Sequence, residues 1–468
     1  LLPEPSWDGH PQALDCYWKV WELAFKNLRR PAPGTGFLAN YIDTAFNKCL
    51  FMWDSCFILQ FCRYGSRAFP FQQTLDNLYA KQRPDGFITR ELRQRDGQFQ
   101  FHPHDPASTG PNVLAWAEWE YYLNFGDEDR LRRIFPVLTA YHRWLRFQRT
   151  WPDGAYWSCG LGCGMDNMPR QSADYDPLVH HGHLSWLDAT LQALLSAELL
   201  TKIAVVLNRE KDACDLREET TLLQRWANEK AWDERTGFYY DVNKDGQITG
   251  FKSIAAFWAL LAGVASKERA ERLIAHLDDP RSFCRPHRVP SISAEENQYA
   301  ADGGYWKGAI WPPTNYMILR GLTKCGFDDM AYAIAGNHHE NVLKVFQATG
   351  TVWENYAPES AAPGKPAKSD FVGWSGLGPV AVLFEYIFGL RPDVPDQKIV
   401  WDVRLKEAHS VKRYPFGSDG LLDFSCPARN SETEKPAVKV ISNVPLTLDL
   451  RWTGGREIQA VKVSSSKK

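Results

Sequence analysis

The chain has no run of 18 or more apolar residues free of charge; its best candidate, around Ile203–Leu207, is bracketed by Lys202 and Arg209. A membrane partner is therefore not expected. Charge of one sign is also lacking: 54 Lys plus Arg stand against 56 Asp plus Glu, for a formal charge of -2. With no dense basic run to gather phosphates, nucleic acid is not an expected partner either. Nor is there a zinc signature. Cys159 and Cys163 do not have its spacing, and His102-Pro103-His104 and His180-His181-Gly182-His183 lack the helical interval of a metal site. No metal or cofactor is expected. Most of the other cysteines among the ten lie in apolar surroundings and read as buried free thiols, which leaves the redox compartment open. The chain starts at Leu1 without Met and reads as trimmed, so a leader or further domain would lie outside it; the compartment is open, with a lean to secreted or periplasmic.

Aromatics, by contrast, abound: 19 Trp, 18 Tyr and 25 Phe, with most Trp near Gly, Asp or Pro rather than at helical intervals. They divide between sugar-stacking walls and core fillers. Up to about residue 390, apolar residues recur at spacings of three and four. This predicts twelve helices, over 13–30, 51–66, 68–82, 111–125, 128–149, 183–207, 209–230, 252–264, 266–278, 311–325, 328–347 and 375–389. Pro111 and Pro312 read as first helical residues. Between the helices a Gly followed closely by an aromatic recurs six times, at Gly36, Gly86, Gly154, Gly237, Gly303 and Gly350. Each copy alone is a turn signal. Six copies in phase with helix pairs predict an (α/α)6 barrel over residues 1–395, all six loops at one mouth. Beyond residue 396 alternation takes over, as in Lys398–Trp401, Val438–Ile441, Leu446–Leu450 and Ile458–Val463, and predicts a small β appendage over 396–468 whose role is packing.

Two carboxylates stand out. Asp166 sits in the Gly-rich run Gly160–Arg170 of the third loop, between Met165 and Asn167, where partial desolvation suits a general acid; capping of the next turn is the equal alternative. Glu354, between Trp353 and Asn355, follows the sixth Gly copy. Third and sixth loops face one another in a ring of six, so the pair can address a sugar from opposite sides, as inverting glycoside hydrolysis requires, with the carboxyls roughly 6.5–9.5 Å apart. Trp53-Asp54 follows the first loop, and Asp54 is expected either at sugar hydroxyls or as a helix N-terminal Asp. The fifth loop offers Tyr305, Trp306, Lys307 and Trp311 as stacking and hydrogen-bonding partners, with Trp311 alternatively structural. Asp241 to Asp245 copies the start of an EF-hand loop, but Lys252 occupies the twelfth position, so a hairpin turn is the expectation.

The segments Gly164-Met165-Asp166-Asn167-Met168-Pro169-Arg170, Gly304 to Pro313 and Trp353-Glu354-Asn355-Tyr356, with Trp53-Asp54-Ser55, resemble glycoside hydrolase family 63 and its trehalase relatives in content and order. The resemblance implies an (α/α)6 barrel and exo-acting hydrolysis of an α-linked glucoside or mannoside with inversion. It makes Asp166 the general acid and Glu354 the general base. Trp53, Asp54, Asn167, Arg170, Tyr305, Trp306, Lys307, Trp311 and Trp353 are then the expected substrate-binding set, and a small carbohydrate is the expected partner. Where family members often carry Gln-Pro-Pro, this chain reads Ser108-Thr109-Gly110-Pro111. The large N-terminal β domain of many members is missing, which points to compact members of the mannosylglycerate-hydrolase type. Two other classes compete: a sugar epimerase or isomerase on the same barrel, using a pair among His180, His181 and His183, and a catalytically inactive glycan-binding protein. Sugar, aglycone and oligomeric state stay open.

Overall fold

The computed structural model describes residues 1–370 and 373–463 and is mainly helical. Helices form in all twelve expected places with shifted ends: α1 (Pro11–Lys26), α2 (Met52–Cys62), α3 (Thr74–Tyr79), α4 (Leu114–Phe125), α5 (Glu128–Gln148), α6 (Leu187–Val206), α7 (Cys214–Trp226), α8 (Trp258–Ala262), α9 (Lys267–Asp278), α10 (Pro312–Lys324), α11 (Asp328–Thr349) and α12 (Leu377–Ile387), the last wound as a π-helix. Pro312 starts α10 as expected. Pro111 does not start α4: Val113 caps that helix, and Pro111 stays in the preceding segment.

The even-numbered helices touch in cyclic order, α2 to α4, α6, α8, α10, α12 and back to α2. The odd-numbered helices pack outside them: α1 on α12, α3 on α2, α5 on α4 and α6, α7 on α6, and α11 on α10 and α12. Composition explains the sorting. Every residue of α2 and of α12 is buried, whereas α1, α5, α7 and α9 bury a single stripe and leave charged faces in water. Helix α6 is long and apolar enough to cross a membrane, a property that a search for uncharged runs passes over because Glu198 and Lys202 lie within it; two thirds of its apolar window is buried against its neighbours, as in a core helix.

All six repeated glycines fall in segments that lead from an odd helix to the next even one, and all six have positive φ, from 66° at Gly237 to 103° at Gly303. That left-handed backbone is the physical reason for the recurrence. The aromatics that follow mostly serve the core: Phe37, Phe87, Tyr156 and Phe238 are buried.

Beside three short two-stranded ribbons, the longer strands form two four-stranded sheets. In one, β1 (Glu4–Trp7) joins β4 (His409–Phe416), β5 (Gly420–Cys426) and β6 (Lys439–Ser442), all antiparallel. In the other, β2 (Leu390–Asp393), β3 (Lys398–Asp402), β7 (Leu446–Trp452) and β8 (Gly455–Val461) lie in the order β8-β7-β3-β2, with only β3 and β7 parallel. Strands β1, β2, β4 and β5 were not foreseen; three of them carry a proline, at Pro5, Pro392 and Pro415, which mutes the strand signal.

Candidate active site

A cavity of about 310 Å³ opens among five of the six odd-to-even segments. The α1–α2 segment supplies Phe46, Asn47 and Phe51 and runs into Trp53 and Asp54 in the first turn of α2; the α3–α4 segment supplies Arg90, Glu91, Gln100, Phe101 and Pro111. A short ribbon joins these two segments, with Cys49–Phe51 antiparallel to Glu91–Arg93 and Phe51 opposite Glu91. The α5–α6 segment adds Leu161, Gly164 and Asp166, the α9–α10 segment Tyr305 and Trp306, and the α11–α12 segment Glu354 and Trp374.

Glycine makes the Asp166 loop possible. Gly164 has φ 75° and lies against Trp53, whose indole a Cβ would approach to 3.1 Å. At Gly160 a Cβ would come within 2.2 Å of the Asp166 carbonyl oxygen, so any side chain there would displace the loop. Glu354 is held from several sides. Its Oε1 accepts from the Tyr305 hydroxyl at 3.2 Å and its Oε2 from the Lys368 backbone N–H at 3.2 Å, while its own carbonyl accepts from the Trp374 indole at 2.9 Å.

Burial pushes the Asp166 carboxyl up to about 6, against the pull of the Arg90 guanidinium. It pushes Asp54, only 7% exposed, up to about 8. Burial raises Glu354 as well, opposed by the hydrogen bonds from Tyr305 and Lys368. Three carboxyls of raised affinity for protons thus line one small cavity, an arrangement suited to acid–base chemistry. Arg90 is the cation beside them; it is paired with Glu91, donates to the Leu161 carbonyl at 2.5 Å and lies over Phe101 at 5.0 Å.

The sequence profile of the mannosylglycerate hydrolase MGH1-like glycoside hydrolase domain matches residues 49–375, which carry this entire cavity except Phe46 and Asn47. The chain belongs to that family. It is a glycoside hydrolase of the GH63 kind. The mannosylglycerate hydrolase of Thermus thermophilus is 23% identical over 346 residues, spanning 60% of this chain and 83% of the relative. The probable mannosyl-oligosaccharide glucosidase of Schizosaccharomyces pombe is 25% identical over 281 residues, which is 53% of this chain but only 34% of that longer protein. Among solved structures, a GH63 mannosylglycerate hydrolase from Thermus thermophilus in complex with glucose has a TM-score of 0.63 at 22% identity, covering 79% of this chain and 99% of that one. At that identity the likeness speaks for the fold.

In this GH63-type hydrolase the expected site residues separate into two groups. Asp166, Glu354, Trp53, Asp54, Tyr305 and Trp306 meet at the cavity. The others do not line it. Arg170 is buried in an ion-pair cluster, bound in bidentate fashion to both Asp188 and Asp241 and lying 4.2 Å over the Trp186 ring. Its guanidinium is taken up by these ion pairs and does not line the cavity. Trp311 is fully buried and stacks flat on Trp306 at 4.0 Å, behind the cavity wall. Trp353 packs against the cluster of Ile310, Val342, Val345 and Tyr356 and donates to the Thr349 hydroxyl at 3.0 Å. Lys307 is half-buried behind Trp306 in sequence and absent from the wall. Asn167 bonds backbone rather than facing the cavity, its Nδ2 donating to the Gly304 carbonyl at 3.0 Å and its Oδ1 accepting from Trp306 N–H at 2.8 Å.

The metal readings resolve into geometry. Asp241 is bonded to Arg170 and to the Leu187 N–H, and Asn243 Oδ1 accepts from the N–H groups of Asp245 and Gln247, which makes the EF-hand-like stretch a closed turn. His180, His181 and His183 converge despite their unhelical spacing, with ligand atoms within 4.8 Å of one another. The Nδ1 atoms of His180 and His181 each accept a backbone N–H, and none of the three lines the carboxylate cavity, where an isomerase would need them. Sequence reasoning missed Arg90, Glu91, Phe46 and Phe101, which sit in no recognisable motif; Glu91 reaches the cavity from the ribbon, and the other three from the loops on either side of its strands.

Proposed function

We propose that this chain is an exo-acting, inverting hydrolase of an α-linked mannoside or glucoside, a glycosylglycerate included, built on an (α/α)6 barrel with Asp166 as general acid and Glu354 as general base. The observation that carries the reading is the convergence of the two carboxyls, from the third and sixth odd-to-even segments, on one cavity in which burial raises both. Residues 1–395 serve as the catalytic barrel and 396–468 as a packing appendage, to which β1 and β2 lend strands from outside that range. The cyclic contacts of the even-numbered helices support the barrel.

In this mechanism the protonated Asp166 carboxyl gives its proton to the glycosidic oxygen as the bond to the anomeric carbon breaks. Glu354, ionised and held by Tyr305 and Lys368, takes a proton from the water that attacks that carbon from the opposite face. The products are the free sugar, inverted, and the aglycone alcohol. Asp54 hydrogen-bonds sugar hydroxyls from the first turn of α2, and Trp53, Trp306 and Phe101 supply apolar wall. Arg90 offers a guanidinium to an anionic aglycone such as a glycerate, its charge shared with Glu91. Incubation with α-mannosides, α-glucosides and glycosylglycerates tests the reading: wild type releases free sugar, and Asp166→Asn and Glu354→Gln each lose about 10²–10⁴-fold in kcat while remaining folded. Near-wild-type activity in either variant overturns that residue's role.

A further inference from the structure

The residue after the acid reaches across to the loop that touches the base. Asn167 spans residues 304 and 306 like a strand partner, donating to one backbone carbonyl and accepting from the next N–H but one. Between the two bonds lies Tyr305 at φ 66°, a left-handed conformation that is strained for a bulky residue. Such strain persists only where the surroundings over-determine it. Here Asn167 fixes both flanks, the Tyr305 carbonyl accepts from the Trp311 indole at 3.2 Å, and the Tyr305 ring meets Trp311 edge-on at 4.9 Å. The outcome is that the phenol projects to Glu354 and donates to Oε1 at 3.2 Å.

We propose that Asn167 is a positioning residue which, by holding Tyr305 in its left-handed conformation, aims the Tyr305 hydroxyl at Glu354 and so ties the geometry of the base to the loop that carries the acid. This rests on the functional reading above. An amide is the side chain that fits, because one donor and one acceptor are needed at adjacent atoms; an ionised Asp only accepts, and a Ser does not span the gap. The consequence is chemical. Burial raises Glu354, and the hydrogen bond from the phenol opposes it most strongly, keeping the carboxylate available to accept a proton from water. Tyr305 itself is driven upward by burial and by Glu354, so it keeps its proton and remains a donor.

The test is the pH profile of kcat/KM for wild type, Tyr305→Phe, Asn167→Ala and the double variant on whichever α-glycoside the wild type cleaves. Tyr305→Phe moves the acidic limb, which reports Glu354 in the free enzyme, to higher pH and lowers kcat about tenfold. Asn167→Ala moves the same limb in the same direction with little change in KM, and the double variant goes no further than Tyr305→Phe alone. Independent, multiplying losses, or an Asn167→Ala profile with the wild-type acidic limb, overturn the proposal, as does an effect confined to KM, the mark of a direct substrate contact. Asn167→Ser serves if the alanine variant does not fold, with near-ultraviolet circular dichroism as the fold check; it carries the same expectation. A wild type that releases no sugar from any α-glycoside sinks the functional reading, whereas an active wild type with these profiles unmoved sinks only the coupling.

Discussion

Two buried carboxyls, Asp54 and Glu354, and the half-buried Asp166 around one cavity cost the fold stability, and the sign of that cost is set by their affinity for protons. Asp54 is held near 8 in the folded protein against an ordinary value of 3.8. Between these values the folded state keeps a proton that the unfolded chain has released, so stability falls as pH rises from about 4 to 8 and levels off above. Asp54→Asn removes the charge that must be buried. The difference in Tm between variant and wild type is expected near zero at pH 4 and positive at pH 8.5, with kcat lowered; a pH-independent difference in Tm contradicts the burial argument. Asp166, at about 6, adds a functional limb in the proposed mechanism: kcat/KM is expected to fall above roughly pH 6 as the proposed acid loses its proton, and a steady-state pH profile checks it. At this scale the sequence was readable where a carboxylate stood next to a glycine turn, as at Asp166, or next to Trp, as at Asp54 and Glu354. It was not readable where polarity alone suggested a ligand. Arg170 and Asn167 look like sugar contacts in a motif, but their partners, Asp188, Asp241 and the Gly304–Trp306 backbone, lie 18 to 139 positions away and are assigned only by folding.

At the scale of elements, Arg170 joins the end of the Asp166 loop to the first turn of α6, through Asp188, and to the α7–α8 segment, through Asp241. Asp241 also accepts from Leu187 N–H at the start of α6, so one guanidinium fixes three pieces of chain. Arg170→Met leaves two buried carboxylates unpaired and is expected to lower stability by about 3–5 kcal/mol, measured by calorimetry near neutral pH. A loss of activity without a loss of stability would restore Arg170 to substrate binding. The helices themselves were legible because outer ones carry a charged face and inner ones are mostly buried; their ends were not. The expected helix over 68–82 shrinks to Thr74–Tyr79, preceded by a 3-10 turn at Phe71–Gln73, because Pro70 cannot sit in a helix interior.

For the whole molecule, one sheet joins residues 4–7 to residues 409–412. Strand β1 pairs with β4, from Glu4 opposite Lys412 to Trp7 opposite His409, and Trp7 packs edge-on against Phe388 at 5.9 Å. Removing residues 1–7 is expected to expose an edge of β4 and lower Tm while leaving kcat of the folded fraction unchanged, since none of these residues lines the cavity. In the proposed mechanism the opposed third and sixth segments set the two carboxyls on opposite sides of a sugar. Inversion follows if a water fits between them, and direct attack by a carboxylate would instead retain the configuration. The decisive measurement is proton NMR of the first sugar released from an α-linked substrate, recorded before mutarotation. The β-anomer appearing first is the predicted result; the α-anomer appearing first would contradict the mechanism, even with Asp166 and Glu354 both essential.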